Sequence, residues 1–239
     1  MKIIAHRCGP HAGAAENTVE AARRSLALGA DAIELDVRFS RDGVPVVAHD
    51  PDLGRLCGDA RRVADLDAGE IVRLKHRGLP AATPQPFRAF TDAGVAPLVV
   101  DFKEAEERIG DFLDALAAAR YLDRVVLGVR SVAALAAARR RQARLEVLAF
   151  MPAAGDVGAF LDAGADLVRL WYAWADAAVV GRVHGAGRGV WVMMGDPSED
   201  RVGLASRDEL ERCIALGVDG CLLNDVALGV GAVRGRVRR

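Results

Sequence analysis

The chain has 239 residues, with 32 Lys and Arg against 33 Asp and Glu, a formal net charge of −1 and 51% hydrophobic residues. That balance, with a pI near 6.5, excludes a chain built to coat nucleic acid, and no run of about 18 apolar residues offers a membrane span. The apolar run in Met1-Lys2-Ile3-Ile4-Ala5-His6-Arg7 is too short for the ~7–15-residue core of a signal peptide. Cys8, Cys57, Cys213 and Cys221 form no Cys-x-x-Cys pair, so the expectation is a cytoplasmic protein with free thiols.

Short β-branched runs alternate with Ala/Leu/Arg-rich stretches of helical period along the whole sequence. The pattern predicts strands at 2–6, 32–39, 97–102, 124–129, 145–150, 167–171, 189–193 and 220–223. Helices are predicted at 18–28, 104–120, 132–141, 156–163, 176–184 and 207–216. About eight βα units in this length predict an α/β fold, a single (β/α)8 TIM barrel occupying residues 1–239 as one domain. Asn17-Thr18-Val19-Glu20 reads as a capped helix start, and the similar Gly29, Gly164 and Gly217 segments read as helix stops before the next strand. The rhythm breaks after the second strand. There a turn at 40–43, an extended run at 44–49, turn residues at 50–62 and one or two short helices within 65–93 predict an elaborated second βα loop.

Glu34 and Asp36 stand two apart on a strand and share a face, while Ile33, Leu35 and Val37 take the other. Placing the apolar set against the helices turns both carboxylates into the barrel, where two like charges need a cation or strong hydrogen bonds to compensate them, a metal being the economical answer. Asp101 and Lys103 repeat the arrangement on the third strand, giving a three-carboxylate oxygen site for one divalent cation, Mg2+ or Ca2+ with Mn2+ as a substitute, beside a fixed ammonium. An ordinary salt-bridged pair is the competing reading of the Glu34–Asp36 spacing. His6 and Arg7 end the first strand and His49 ends the extra run, so two imidazoles and a guanidinium join the carboxylates at one mouth. Two histidines can share acid and base work, and arginine grips phosphate oxygens in pairs.

Ala5-His6-Arg7-Cys8, Glu16-Asn17-Thr18, the run from Gly29 to Val37, the run from Asp42 to Asp50, and Gly217-Val218-Asp219-Gly220-Cys221-Leu222-Leu223-Asn224-Asp225 resemble the glycerophosphodiester phosphodiesterase family in order and spacing. The resemblance implies a TIM barrel, one divalent metal, and hydrolysis of a small-molecule glycerophosphodiester to glycerol 3-phosphate and an alcohol. It implies His6 and His49 as the acid/base pair with Arg7 beside them, and Glu34, Asp36 and Asp101 as metal ligands. Arg7 and Lys103 would be phosphate contacts, and Glu16 a support for Arg7 or the metal. Trp191 matches the aromatic position on the seventh strand and is expected at the substrate. Attack by the glycerol hydroxyl, through a cyclic phosphate, and attack by water both stay open.

The chain departs from the family pattern at Cys8 and Ala15, where Gly and Pro are usual, at Asp101, where Glu is usual, and at Val192-Met193-Met194. Two alternatives are lysophospholipase D-type action on lysolipids, hinted at by Met193 and Met194, and a catalytically weak phosphodiester-binding barrel. Trp171, Tyr172 and Trp174 are read mainly as packing, His11 as a loop residue, and His76 and His184 as surface residues. Arg139-Arg140-Arg141 and the basic tail 234–239 are read as solvated, with no nucleic acid partner.

Overall fold

The structure, a computed structural model, describes residues 1–10, 14–79 and 81–235. Its strands are β1 (Lys2–Ala5), β2 (Ala32–Phe39), β3 (Pro45–Val47), β4 (Asp52–Leu53), β5 (Asp59–Arg62), β6 (Gln85–Pro86), β7 (Leu98–Phe102), β8 (Val125–Val129), β9 (Glu146–Phe150), β10 (Leu167–Trp171), β11 (Gly189–Met193) and β12 (Gly220–Leu223). Eight of them form a parallel ring in the order β1-β2-β7-β8-β9-β10-β11-β12, and the pairing of β1 with both β2 and β12 closes it. Helices connect the strands, so this is the expected (β/α)8 barrel. His11 and residues 236–239 lie outside the described residues.

Strand alternation sorts the core into two layers. Ile33, Leu35, Val37, Val100, Phe102, Val190 and Val192 pack outward with the helices, and Ile4, Ala32, Val99, Leu148, Leu167, Trp191 and Leu222 fill the barrel interior. The repeated Gly-x-Asp stops do a second job. Gly29, Gly164 and Gly217 take positive φ to end their helices, and Asp31, Asp166 and Asp219 then accept the backbone N–H of Ile3, Val147 and Val190 at 2.7–2.8 Å, clasping neighbouring strands. The first helix, Val19–Ala27, is capped by Thr18, whose hydroxyl accepts the Ala21 N–H at 3.2 Å; Asn17 sits at φ +57 and sends its amide elsewhere.

The interrupting segment follows the expected outline, with additions. β3 pairs antiparallel with the end of β2, Val37 against Val47, and carries the chain back to the mouth at His49. Short helices follow at Ala68–Ile71 and Arg88–Asp92. The stretch read as turns contains the β4–β5 hairpin, too short and polar to show a strand period. Val46, Ala48, Leu53, Val63, Leu66 and Ile71 give this loop a small core of its own. His76, expected on the surface, is 4% exposed; His184 is exposed and paired with Asp219.

Candidate active site

Register places Asp36 on β2 directly beside Asp101 on β7, with Glu34 one inward position below. Glu34, Asp36 and Asp101 are all buried, and each offers an oxygen within 4.8 Å of the others. Such a cluster survives only if its charges are answered. Asp36 accepts the Asn17 amide at 3.0 Å and the Lys103 ammonium at 3.0 Å. Asp101 accepts Lys103 at 2.5 Å and the Arg130 Nε at 3.1 Å. Against the burial that alone would raise them, Lys103 and its cationic neighbours hold both aspartates below the usual carboxylate range. Among the described residues Glu34 accepts only the Arg7 backbone N–H, at 2.7 Å. Burial, with the charges of Asp36 and Asp101, pushes its carboxyl well above the ordinary value. Three hard oxygen donors, one of them short of positive charge, fit a divalent cation of the Mg2+ or Ca2+ kind.

The chain leaves β1 in a tight turn. Arg7, Cys8 and Gly9 all have positive φ, at 46°, 68° and 70°, which aims the Arg7 N–H at Glu34 and the His6 ring into the barrel. The Arg7 guanidinium lies 3.5 Å from Glu16 and 3.9 Å from Asp36. His6 Nδ1 lies 2.8 Å from Asn224 Oδ1, while the Asn224 amide donates to the Val202 carbonyl at 3.2 Å. That orientation makes Asn224 Oδ1 an acceptor, so His6 carries its proton on Nδ1 and presents a bare Nε2. Burial, reinforced by Arg7, lowers the His6 pKa to about 4. Burial also raises the Cys8 thiol well above its normal value, which removes it as a nucleophile.

His49 has a different partner. Its Nδ1 donates to Asp50 at 2.7 Å, and Arg55 links Asp50, at 2.6 Å, to both oxygens of Glu16, at 2.6 and 3.1 Å. Burial lowers the His49 pKa below its ordinary value, with Asp36 opposing. Glu16 therefore supports Arg7 only at long range and is gripped chiefly by Arg55.

These groups line one cavity of about 250 Å3, which holds His6, Arg7, Glu34, Asp36, His49, Asp101 and Lys103 together. Trp191 is elsewhere. Inward positions on β11 are Trp191 and Met193, roughly 6–7 Å apart along the strand. Met193 reaches the cavity, whereas Trp191 packs lower and borders a separate cavity near Lys2, Asp31 and Pro97 at the strands' N-terminal ends. Trp171, read as packing, does line the cavity, as do Arg130, Phe150 and Arg169. Sequence reasoning missed Asn17, Asp50, Arg55, Arg130, Arg169 and Asn224 as site residues. Only Asn17, Asp50 and Asn224 carried a signal, lying inside segments that resemble the family.

Residues 6–142 match the model of the glycerophosphoryl diester phosphodiesterase family. The chain belongs to that family. It is 38% identical over 98 residues to glycerophosphodiester phosphodiesterase 1 of Rattus norvegicus, a stretch covering 41% of this chain and 28% of that protein. It is 43% identical over 72 residues to a glycerophosphodiester phosphodiesterase of Caldanaerobacter subterraneus, covering 30% of this chain and 29% of the relative. The matched stretches thus span under a third of these relatives' length. An Oleispira antarctica phosphodiesterase, solved in complex with the product sn-glycerol-3-phosphate, shares the fold with a TM-score of 0.81 at 16% identity, over 98% of this chain and 97% of that one.

Proposed function

We propose that the protein hydrolyses a glycerophosphodiester to sn-glycerol 3-phosphate and an alcohol, using one divalent cation held by Glu34, Asp36 and Asp101. The observation that carries this reading is the meeting of three buried carboxylates and two histidines in one cavity of a family barrel. The bound cation would supply charge neutralisation at a phosphoryl oxygen. Arg7 and Lys103 hold the remaining phosphoryl oxygens and keep them in line with the histidines. His6, neutral and with Nε2 bare, takes the proton of the attacking hydroxyl. His49, whose protonated form is stabilised by Asp50, gives a proton to the departing alcohol oxygen. Arg55 and Glu16 fix Asp50 and Arg7 relative to one another, and Met193 and Trp171 close the apolar side of the cavity.

The test is release of glycerol 3-phosphate from glycerophosphocholine and glycerophosphoglycerol with Mg2+, Mn2+ or Ca2+, and its loss on chelation. Folded protein that releases none with any of the three cations would overturn the reading. A lysophospholipid turned over faster than either compound would move the substrate to the lysolipid class.

A further inference from the structure

Arg169 is an anomaly inside the barrel. It points inward from β10, its residue is 3% exposed, and it lines the cavity, yet its buried Nε and Nη1 have no hydrogen-bond partner among the described residues. Its guanidinium lies 4.4 Å from the centroid of the Trp171 ring and 5.1 Å from that of Phe150. These rings attract the charge and hold the group in place, but they do not satisfy its in-plane N–H donors. Among the described residues no carboxylate of the cavity hydrogen-bonds to it. Asp36 is taken by Asn17 and Lys103, Asp101 by Lys103 and Arg130, and Glu34 by the Arg7 backbone.

Burying an arginine without an anion is costly, and the local architecture makes room for it deliberately. Phe150 lies over Gly128, where a Cβ would come within 2.2 Å of the ring, so β8 gives up a side chain to let the aromatic between the arginines lie flat. Arg130 lies on the same ring, 5.6 Å from its centroid. Four cationic side chains, Arg7, Lys103, Arg130 and Arg169, face three carboxylates across the cavity. β10 stands opposite β2 in the ring of eight strands, so Arg169 lies across the mouth from Glu34 and Asp36.

We infer that Arg169 is the anchor of a second anion-binding subsite, and that the preferred substrate is a glycerophosphodiester whose alcohol carries an additional carboxylate or phosphate. This rests on the proposed activity, since the glycerol arm is neutral and the second anion must then lie on the alcohol. A planar guanidinium without hydrogen-bond partners among the described residues can take either anion bidentately, side-on through Nε and Nη2 or end-on through Nη1 and Nη2. A cationic alcohol such as choline is disfavoured by the same charge.

The experiment compares kcat/KM for glycerophosphocholine, glycerophosphoglycerol, glycerophosphoserine and glycerophosphoinositol phosphate in the native protein, Arg169→Met and Arg169→Lys. The native protein is expected to favour at least one anionic head group over glycerophosphoglycerol by 10-fold or more, with the carboxylate and phosphate arms telling which anion is read. Arg169→Met should reduce that selectivity ratio about 10- to 100-fold, and Arg169→Lys should keep part of it. Without substrate, the melting temperature of Arg169→Met should equal or exceed that of the native protein, because an unpaired buried charge has gone. An equal loss on all substrates would mean that Arg169 holds the scissile phosphate and would overturn the inference, as would a fall of several degrees in melting temperature. Calorimetric titration of the same four compounds in a His49→Ala background reads binding apart from turnover. If no compound is hydrolysed the proposed activity fails, and the subsite then stands or falls on whether Arg169→Met weakens binding of the anionic compounds selectively.

Discussion

On one side of the barrel mouth, β2 and β7 bury three carboxylates that Lys103, Asn17 and a backbone N–H only partly answer; on the other, β8 and β10 hold two arginines around Phe150. Each side carries charge that its own strands do not neutralise, and among the described residues the Arg130–Asp101 pair is the hydrogen-bonded link between the two sides. A fold selected for stability alone would let the sides neutralise each other or replace both with apolar packing, as the floor of the same barrel does with Ile4, Leu148, Leu167 and Trp191. Keeping them apart leaves a slot with positive-charge demand on one face and negative-charge demand on the other, which suits a bound cation together with an anionic ester.

The strongest way to break this comparison is at Glu34. Glu34→Gln keeps an acceptor for the Arg7 N–H but removes the charge, and activity should fall by about 10³-fold or more, beyond the ~10–100-fold typical of losing a ligand's supporting partner. The stability effect should have the opposite sign. Because the folded pKa of Glu34 is raised, its contribution is full below the ordinary carboxylate value and is lost as pH rises from there through the raised one. Chelated Glu34→Gln should therefore melt increasingly above the chelated native protein as pH rises above the ordinary carboxylate value of about 4. Added Mg2+ or Ca2+ should close that gap by stabilising the native protein alone. Melting curves that run parallel across this range would show that the carboxylates are not in conflict.

The histidines sharpen the acidic side. His49→Ala should lower turnover about 10²–10³-fold, and Asp50→Asn, which leaves the ring but weakens its orientation, about 10–100-fold. The rate should climb as pH rises through about 4, where His6 loses its proton, and fall where His49 loses its own. His49→Ala should erase the falling limb only. Melting curves should stay close to native for His49→Ala, whose side chain is one-third exposed, whereas His6 is buried against Asn224 and its truncation also removes packing.

The sequence made the acidic side legible and left the basic side dark for a physical reason. Glu34 with Asp36, and Asp101 with Lys103, show a period of two on strands whose other positions are apolar, so charge facing inward could be inferred without a structure. Arg130, just past the end of β8, and Arg169, within β10, are single cations beside Val/Leu runs, and a lone arginine ordinarily reads as solvent-facing. Their significance comes from Gly128 and Phe150 on neighbouring strands, a contact set by the pairing register of β8 with β9. Trp191 erred in the other direction. The resemblance implied a place at the substrate, but it carries no depth along the strand, and one pleat repeat separates the cavity from the floor.

The smallest expected effect concerns the one pair that joins the two sides. Arg130 competes for Asp101, so Arg130→Gln should release that carboxylate and tighten Ca2+ or Mg2+ binding. The gain should be modest. The Arg130 side chain is 47% exposed, and ion pairs screened to that degree are worth about 0.2–1 kcal/mol, which corresponds to roughly 1.5- to 5-fold in affinity. Cation titrations followed by melting temperature can resolve a change of this size. Tighter binding would mean that the basic side restrains the acidic one and that Arg130 yields Asp101 when the cation arrives. Weaker binding would mean the reverse: Arg130 holds Asp101 in the orientation that the cation requires, and the arginine belongs functionally to the acidic side.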